Sequence, residues 1–360
     1  MSEPDPTRVV VGLSGGVDSS AAASLLVEQG YDVVGITLKV WPQDCVSRAE
    51  DKCCGPQAVM DARSVADKLD IPYYLIDESK EFQRDVIDYF AAEYKAGRTP
   101  NPCVMCNEKL KFGNLINRAK KLGARYVATG HYARLEERNG RTVMLRGRDA
   151  RKDQTYFLFS LGQEQLSHMM FPLGELQKAE TREVARCVSL KTAEKQESQE
   201  ICFVPDKDYK KFLTTAGLVE EHQGEIVDTR GQVLGHHDGI EFYTIGQRKG
   251  LGISSPTPLY VVELDPENNR VVVGEEGMLL RSEFRIDRCN WIPFEKLEGP
   301  IEVSAAIRYN HHGAAATVEP AEDGRAIVKL LEPQRAVTPG QACVFYQDDL
   351  VVGGGWIMRH

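Results

Sequence analysis

The sequence predicts an α/β plus β protein: an N-terminal doubly wound parallel sheet, then a small mixed or β-rich domain, then a C-terminal β-barrel. Three observations predict it. Short apolar runs alternate with helix-length segments through the first half. From about residue 206, β-branched runs are separated by turns, and beyond about residue 280 nearly every run reads as strand. The domains follow as 1–205, 206–278 and 279–360, and a chain of 360 residues is long enough for two or three.

In order, Val9 to Leu13 reads as a buried strand that stops at a glycine turn, and Ser19 to Gln29 as a helix closed by Gly30. Val33 to Leu38 is the next strand, Gln57 to Leu69 a helix, and Tyr73 to Ile76 a strand after Pro72. Phe82 to Tyr94 is amphipathic, Glu108 to Lys121 is a basic helix ending at Gly123, and Tyr126 to Thr129 is a strand ending at Gly130. Repeated units of this length imply a parallel sheet with ligands at the carboxyl ends of its strands. Asp206 to Glu221 reads as a last helix. Glu225 to Val227, Leu259 to Glu263 and Arg270 to Val273 are short strands, with Asp265 to Asn269 as a hairpin turn. Ile301 to Ile307, Ala314 to Val318, Ala326 to Leu331, Ala342 to Tyr346 and Leu350 to Val352 supply the barrel.

Composition narrows the class. The longest apolar runs fall well short of the ~20 residues that cross a bilayer, so the chain reads as soluble, with no membrane partner. Met1 to Arg8 is acidic and proline-rich with no cleavage signal behind it, which points to a cytoplasmic location. Cysteines stand at 45, 53, 54, 103, 106, 187, 202, 289 and 343, an odd count of 9 in a chain that has no need of cross-links. The formal charge is −9, which by itself argues against a nucleic-acid partner. The charge is uneven: Lys95 to Lys152 holds 15 Lys and Arg against four acids, a balance of +11, and the remainder carries −20.

The motif Gly12-Leu13-Ser14-Gly15-Gly16-Val17-Asp18-Ser19 follows a strand and opens a helix. Glycines let a backbone approach a phosphate, and the first N–H groups of the helix favour an anion. There is no Walker lysine, which argues against ordinary γ-phosphate hydrolysis, and the G-x-G-x-x-G spacing of a dinucleotide fold is missing too. A second motif, Asn101-Pro102-Cys103-Val104-Met105-Cys106-Asn107, reads as an extended loop in which Asn107 caps the basic helix. Cys106 then lies at a positive helix start beside Lys109 and Lys111, a setting that favours thiolate. The same C-x-x-C is also half of a zinc site, with Cys45, Cys53 or Cys54 as partners, although a second C-x-x-C is absent. A third segment, Glu197 to Phe203, holds Cys202 beside Ile201 and Phe203, where an isolated cysteine is commonly a core residue. His131 follows a glycine at a strand end, a ligand-binding position that a turn-capping histidine also occupies.

These segments occur in one chain with Lys152-Asp153-Gln154-Thr155-Tyr156-Phe157, Gly246 to Gly252 and Thr338-Pro339-Gly340-Gln341. In this order they resemble the tRNA-specific 2-thiouridylase family of PP-loop ATP pyrophosphatases, with an adenine-nucleotide α-hydrolase-like N-terminal domain. The resemblance runs from about residue 8 to the C-terminus. It implies ATP-dependent sulfur insertion at position 2 of the wobble uridine in tRNAs for Lys, Glu and Gln, with Mg²⁺ on the nucleotide. It assigns Gly12 to Ser19, Leu38 and Gly130 to ATP, with Asp18 among the catalytic residues. Asn101, Pro102 and Cys103 would meet the target base, and His131, Lys152, Asp153, Gln154, Arg308, Tyr309 and Gln341 the tRNA. Cys106 would be the nucleophile and Cys202 the persulfide carrier, forming a disulfide as sulfur leaves, with a sulfur-donor protein as second partner.

One position departs from the family pattern. Cys103 replaces the Asp of the usual NPD-x-x-C loop, so a general-base role there loses its carboxylate. Cys103, Cys106 and Cys202 could instead hold a [4Fe-4S] cluster with one open iron, as related thiouridylases do, and both mechanisms stay open at this point. Two other readings compete: a different adenylating PP-loop enzyme, such as an amidotransferase or lysidine-type tRNA ligase, and a non-catalytic RNA-binding iron–sulfur protein. Cys187, Cys289 and Cys343 read as core.

Overall fold

The computed structural model describes residues 6–40, 55–188, 190–194, 201–204 and 208–359. Cys45, Cys53, Cys54 and Glu197 to Glu200 lie outside the described residues. The chain divides into two compact units, residues 1–86, 103–203 and 349–351 forming the first and 87–102, 204–348 and 352–360 the second.

The first unit is built on a parallel sheet. Its strands are β1 (Arg8–Gly12), β2 (Asp32–Lys39), β3 (Tyr73–Asp77), β4 (Tyr126–Ala128) and, after a hairpin of β5 (Ala133–Arg138) and β6 (Arg141–Arg146), the short β7 (Met169–Met170). The order is β3-β2-β1-β4-β7, with Val9 paired to Val33 on one side and Tyr126 on the other. Val9, Val10 and Val11 are fully buried, as β-branched residues in a central parallel strand should be. Val9 and Val11 pack with Leu26 of the Val17–Glu28 helix, Ala62 and Val65 of the Pro56–Leu69 helix and Ala185 of the Lys178–Cys187 helix. Leu145 pairs with Leu350, which is how Asp349–Val351 come to belong to this unit.

Two helices differ from their sequence reading. The segment Phe82 to Tyr94 is an α-turn Ser79–Phe82, a wider π segment Gln83–Asp88 and an α-helix Tyr89–Lys95. The basic helix begins at Pro102 rather than Glu108, runs as α over Pro102–Met105 and as π over Cys106–Asn114, and closes as Leu115–Lys121. Proline suits a first helical position because its missing N–H has no partner to lose there. The cysteine motif is therefore helical, and Asn107 is no cap: it is 2% exposed, and its Nδ2 donates to Phe157 O at 3.0 Å.

The second unit holds a four-stranded sheet ordered β10-β11-β8-β9, from β8 (Gly224–Asp228), β9 (Val233–His237), β10 (Tyr260–Asp265) and β11 (Arg270–Gly274). The predicted helix over Asp206 to Glu221 shortens to Tyr209–Thr215, whose Asp208 cap accepts from Lys211 N. The expected barrel is closed. Its strands β12 (Leu280–Trp291), β13 (Ile301–Ala306), β14 (Ala314–Pro320), β15 (Ala326–Arg335), β16 (Ala342–Gln347) and β17 (Leu350–Ile357) run β12-β15-β14-β13-β16-β17, and β12 pairs back onto β17. Phe284, Ile286, Val318, Val328 and Phe345 fill its interior. No helix among the described residues is long and apolar enough to cross a membrane.

Candidate nucleotide site and cysteine helix

β1 ends at Gly12 and the chain turns through Leu13–Gly16 into the Val17–Glu28 helix. Leu13 N donates to Ile36 O at 2.8 Å and Thr37 Oγ1 donates to Leu13 O at 2.6 Å, so the turn is fastened to β2. Gly15 has φ +69°, and a Cβ there would meet Ala58 O at 2.2 Å, so both conformation and space require glycine. Gly16 is the N-cap and brings no side chain to cap the helix, which leaves the start of the helix to a ligand. Ser14 N donates to Ser19 Oγ at 3.1 Å, and the two hydroxyls are also 3.1 Å apart. Gly130 lies against this start: a Cβ would come within 2.6 Å of Asp18 C and 2.7 Å of Ser19 N. Gly12, Leu13, Ser14, Gly15, Gly16, Val17, Asp18 and Ser19 thus form one turn closed by Gly130, while the half-buried Leu38 lies near the end of β2, paired with Ile76.

Asp18 is engaged by residues that no sequence motif marked. Lys178 Nζ lies 2.6 Å from Asp18 Oδ1, and the Tyr132 hydroxyl donates to the same oxygen at 3.0 Å. A lysine 160 positions from its partner has no spacing by which sequence could find it.

Cys103 and Cys106 are half-buried, one turn apart in the first turns of the helical stretch from Pro102, and Cys202 is half-buried beside Phe203, whose ring meets Phe82 edge-on at 5.7 Å. Among the described residues, no three of His, Cys, Asp or Glu are grouped to hold a metal ion. Cys103, Cys106 and Cys202 are thus not gathered as ligands for a [4Fe-4S] cluster, nor do Cys103 and Cys106 join other described residues in a zinc site. Of the cysteines read as core, Cys343 is buried, Cys289 is half-buried and Cys187 is exposed at its helix end.

The residues expected to meet RNA fall into two sets. Asp153 and Gln154 are tied inward: Asp153 accepts from Gly147 N and Thr155 Oγ1 and pairs with Arg146 at 3.1 Å, and Gln154 Oε1 accepts from Tyr132 N. These side chains shape the turn that presents the half-buried Lys152. His131 Nδ1 is 2.6 Å from Thr129 Oγ1, with its ring near Phe112 and Phe171. Burial, with Lys111 adding, pushes its pKa well below the ordinary value, so it meets any ligand as a neutral imidazole. In the second unit Asn101 and Pro102 are buried, and Gln341 Nε2 donates to Thr99 O at 2.9 Å, so Gln341 supports the loop before the cysteines. Arg308 and Tyr309 are exposed after β13.

A parallel sheet whose first strand leads through a glycine-lined turn into a helix start without a side-chain cap is the arrangement of a PP-loop nucleotide-using protein; this chain also carries two thiols in the first turns of another helix and a β-barrel. Residues 7–206 match the family model described as a tRNA methyl transferase HUP domain, 210–275 a tRNA methyl transferase PRC-barrel domain and 281–357 an aminomethyltransferase β-barrel domain. The chain is 51% identical over 351 residues to the tRNA-specific 2-thiouridylase MnmA of Clostridium perfringens, covering 97% of this chain and 98% of that one. It is 52% identical over 351 residues to the MnmA of Moorella thermoacetica, with the same coverage. The chain belongs to the tRNA-specific 2-thiouridylase family. Among solved structures, a U34-tRNA thiolase NcsA from Methanococcus maripaludis aligns with a TM-score of 0.35 at 18% identity, over 54% of this chain and 60% of that one.

Proposed function

We propose that this protein is the tRNA-uridine 2-sulfurtransferase that thiolates the wobble uridine of tRNAs for Lys, Glu and Gln at the expense of ATP. The observation that carries the reading is the pairing of an uncapped, glycine-lined helix start at Val17 with two half-buried thiols in the first turns of another helix. A uridine C2 carbonyl is a poor electrophile with a poor leaving group. Its oxygen attacks the α-phosphorus of ATP, pyrophosphate leaves, and the C2 centre now carries AMP as leaving group. ATP is a substrate here, and Mg²⁺ shields its phosphates.

A sulfur-donor protein charges Cys202 as a persulfide. The terminal sulfur attacks C2 and AMP departs. The Cys106 thiolate then attacks the Cys202 sulfur, breaking the S–S bond to release the 2-thiouridine and leaving a Cys106–Cys202 disulfide. The two thiols lose the two electrons that the transferred sulfur gains, and a thiol reductant restores them. Cys103 would sit beside the base with Asn101 and Pro102, and His131, Lys152, Asp153, Gln154, Arg308, Tyr309 and Gln341 would line the RNA path.

The test is mass spectrometry of wobble nucleosides from cells lacking the gene, with plasmid-borne variants. The 2-thio group disappears on deletion, returns with the wild-type chain, and stays absent with Cys106→Ser or Cys202→Ser. Persistence of the 2-thio group in the deletion strain overturns the assignment. If activity tracks a visible chromophore in anaerobically purified protein, and Cys103→Ser abolishes both, the persulfide scheme gives way to a cluster.

A further inference from the structure

Lys178 opens the Lys178–Cys187 helix, and its Nζ is held 2.6 Å from Asp18 Oδ1 with only 13% of the side chain exposed. The same ammonium lies 5.6 Å over the ring of Tyr132. Tyr132, itself 1% exposed, donates its hydroxyl to Asp18 Oδ1 at 3.0 Å and lies 2.9 Å from Thr181 Oγ1, one turn along the helix from Lys178. Both donors fall on one carboxylate oxygen, so Asp18 is fixed from two sides. The lysine is fixed as well: its backbone N–H donates to Asp149 Oδ2 at 3.0 Å, and the buried Asp149 also accepts from Arg151 N at 3.1 Å.

Asp18 is the second residue of the helix whose start forms the phosphate cradle. A bare carboxylate there competes with an incoming anion for the same N–H groups and repels it through a partly desolvated medium. P-loop enzymes carry a lysine inside their glycine motif, and this chain has none in Gly12 to Ser19. A half-buried carboxylate such as Asp18 with a charge-assisted hydrogen bond from an ammonium acts as a weaker anion towards its surroundings.

We infer that Lys178, with Tyr132 as its helper, is the positioning residue of the nucleotide site: it neutralises and orients Asp18 so that the Ser14–Ser19 turn accepts the phosphates of ATP. The inference rests on the ATP-using part of the proposed function and on nothing in the sulfur chemistry. The cradle's missing cation thus comes from a distant part of the chain, anchored through Asp149 to the turn that also carries Lys152.

The experiment measures binding of ATP with Mg²⁺ to the full chain by calorimetry, without tRNA or sulfur donor, for wild type, Lys178→Gln, Lys178→Arg and Tyr132→Phe. Lys178→Gln should weaken ATP about tenfold or more, Lys178→Arg should restore affinity to within about threefold of wild type, and Tyr132→Phe should fall between them. Each variant's melting temperature is read beside its affinity, so loss of fold is separated from loss of positioning. Unchanged affinity in Lys178→Gln, or Lys178→Arg as weak as Lys178→Gln in a folded protein, overturns the inference. Should Lys178→Gln not fold, Tyr132→Phe decides alone: wild-type affinity in that variant overturns the inference. A wild-type chain that binds no ATP fails the proposed function instead, while a chain that binds ATP but does not thiolate leaves this test intact.

Discussion

His131 lies just past the carboxyl end of β4, its ring near Phe112 and Phe171 and its pKa depressed by burial and by Lys111. In the unfolded chain this imidazole takes a proton near its ordinary 6.5, and in the folded chain only well below that. The stability it contributes is therefore whole above about pH 6.5 and is lost as pH falls from there towards the folded value, at up to about 1.4 kcal/mol per pH unit. Urea midpoints for wild type and His131→Gln should diverge above about pH 6.5 and converge on acidification; parallel curves would assign the pH dependence to another group. At this scale the sequence carried part of the site. Gly12 to Ser19 stood out because a phosphate turn needs contiguous glycines. Asp153 and Gln154, expected to meet the tRNA, have side chains that hydrogen-bond within their own loop. Lys178 was invisible, because an ion pair between distant segments leaves no local pattern.

Glu78 shows how an element is held in place. It follows β3, is 1% exposed, and its carboxylate accepts from Asn114 Nδ2 at 2.7 Å and Arg118 Nη2 at 3.1 Å. Those partners lie on the helical stretch that carries Cys103 and Cys106, so one buried carboxylate fixes that helix against the sheet. Arg118 is 43% exposed and can return to water, so Glu78→Ala should cost about 2 kcal/mol rather than the full penalty of a stranded charge. Chemical denaturation checks this: a loss below about 0.5 kcal/mol would show that packing alone seats the helix. The start of this helix was misjudged from sequence because Asn107 has a cap's chemistry, while Pro102 supplies the start and Asn107 is drawn inward by Phe157 O. Strand β12 was overlooked because, of its twelve residues, only Phe284 and Ile286 are buried, too few for a clear alternation. The β5–β6 hairpin was hidden by its charged residues, including Arg134, Glu136, Glu137 and Arg138.

Across the whole molecule, part of the basic stretch that offset the −9 total is answered by acids. Lys109 pairs with Glu108, Arg118 with Glu78, Lys120 with Glu164, Arg134 with Asp349, Arg138 with Glu136 and Arg146 with Asp153. Glu108 and Glu136 belong to the stretch and are already counted in its +11, whereas Glu78, Glu164 and Asp349 come from distant segments, so charge counted along the chain overstates the polyanion-binding field by the pairs these make. Binding of tRNA should therefore show a shallow salt dependence, with log K against log salt falling at a slope of about −3 or less steeply. Filter binding across a potassium chloride series tests it, and a slope steeper than about −6 would mean that these pairs open to grip phosphate. The order of α/β, mixed and barrel regions was legible because hydrophobic period changes where the architecture changes. The return of residues 349–351 to the first unit was not, because three residues carry no period.

That return sets a timetable for synthesis. Strand β17 completes the barrel against β12 and gives Leu350 to Leu145, yet it is made last of all the strands. Between the end of β12 and the start of β17 the ribosome adds nearly sixty residues, which at ~5–20 residues per second takes several seconds. Through that interval β12 presents an unpaired edge, joined at its end by the edge of β16, the kind of surface on which nascent chains join one another. A pause between β16 and Leu350 therefore leaves a nascent chain with two adhesive edges, which β17 closes together.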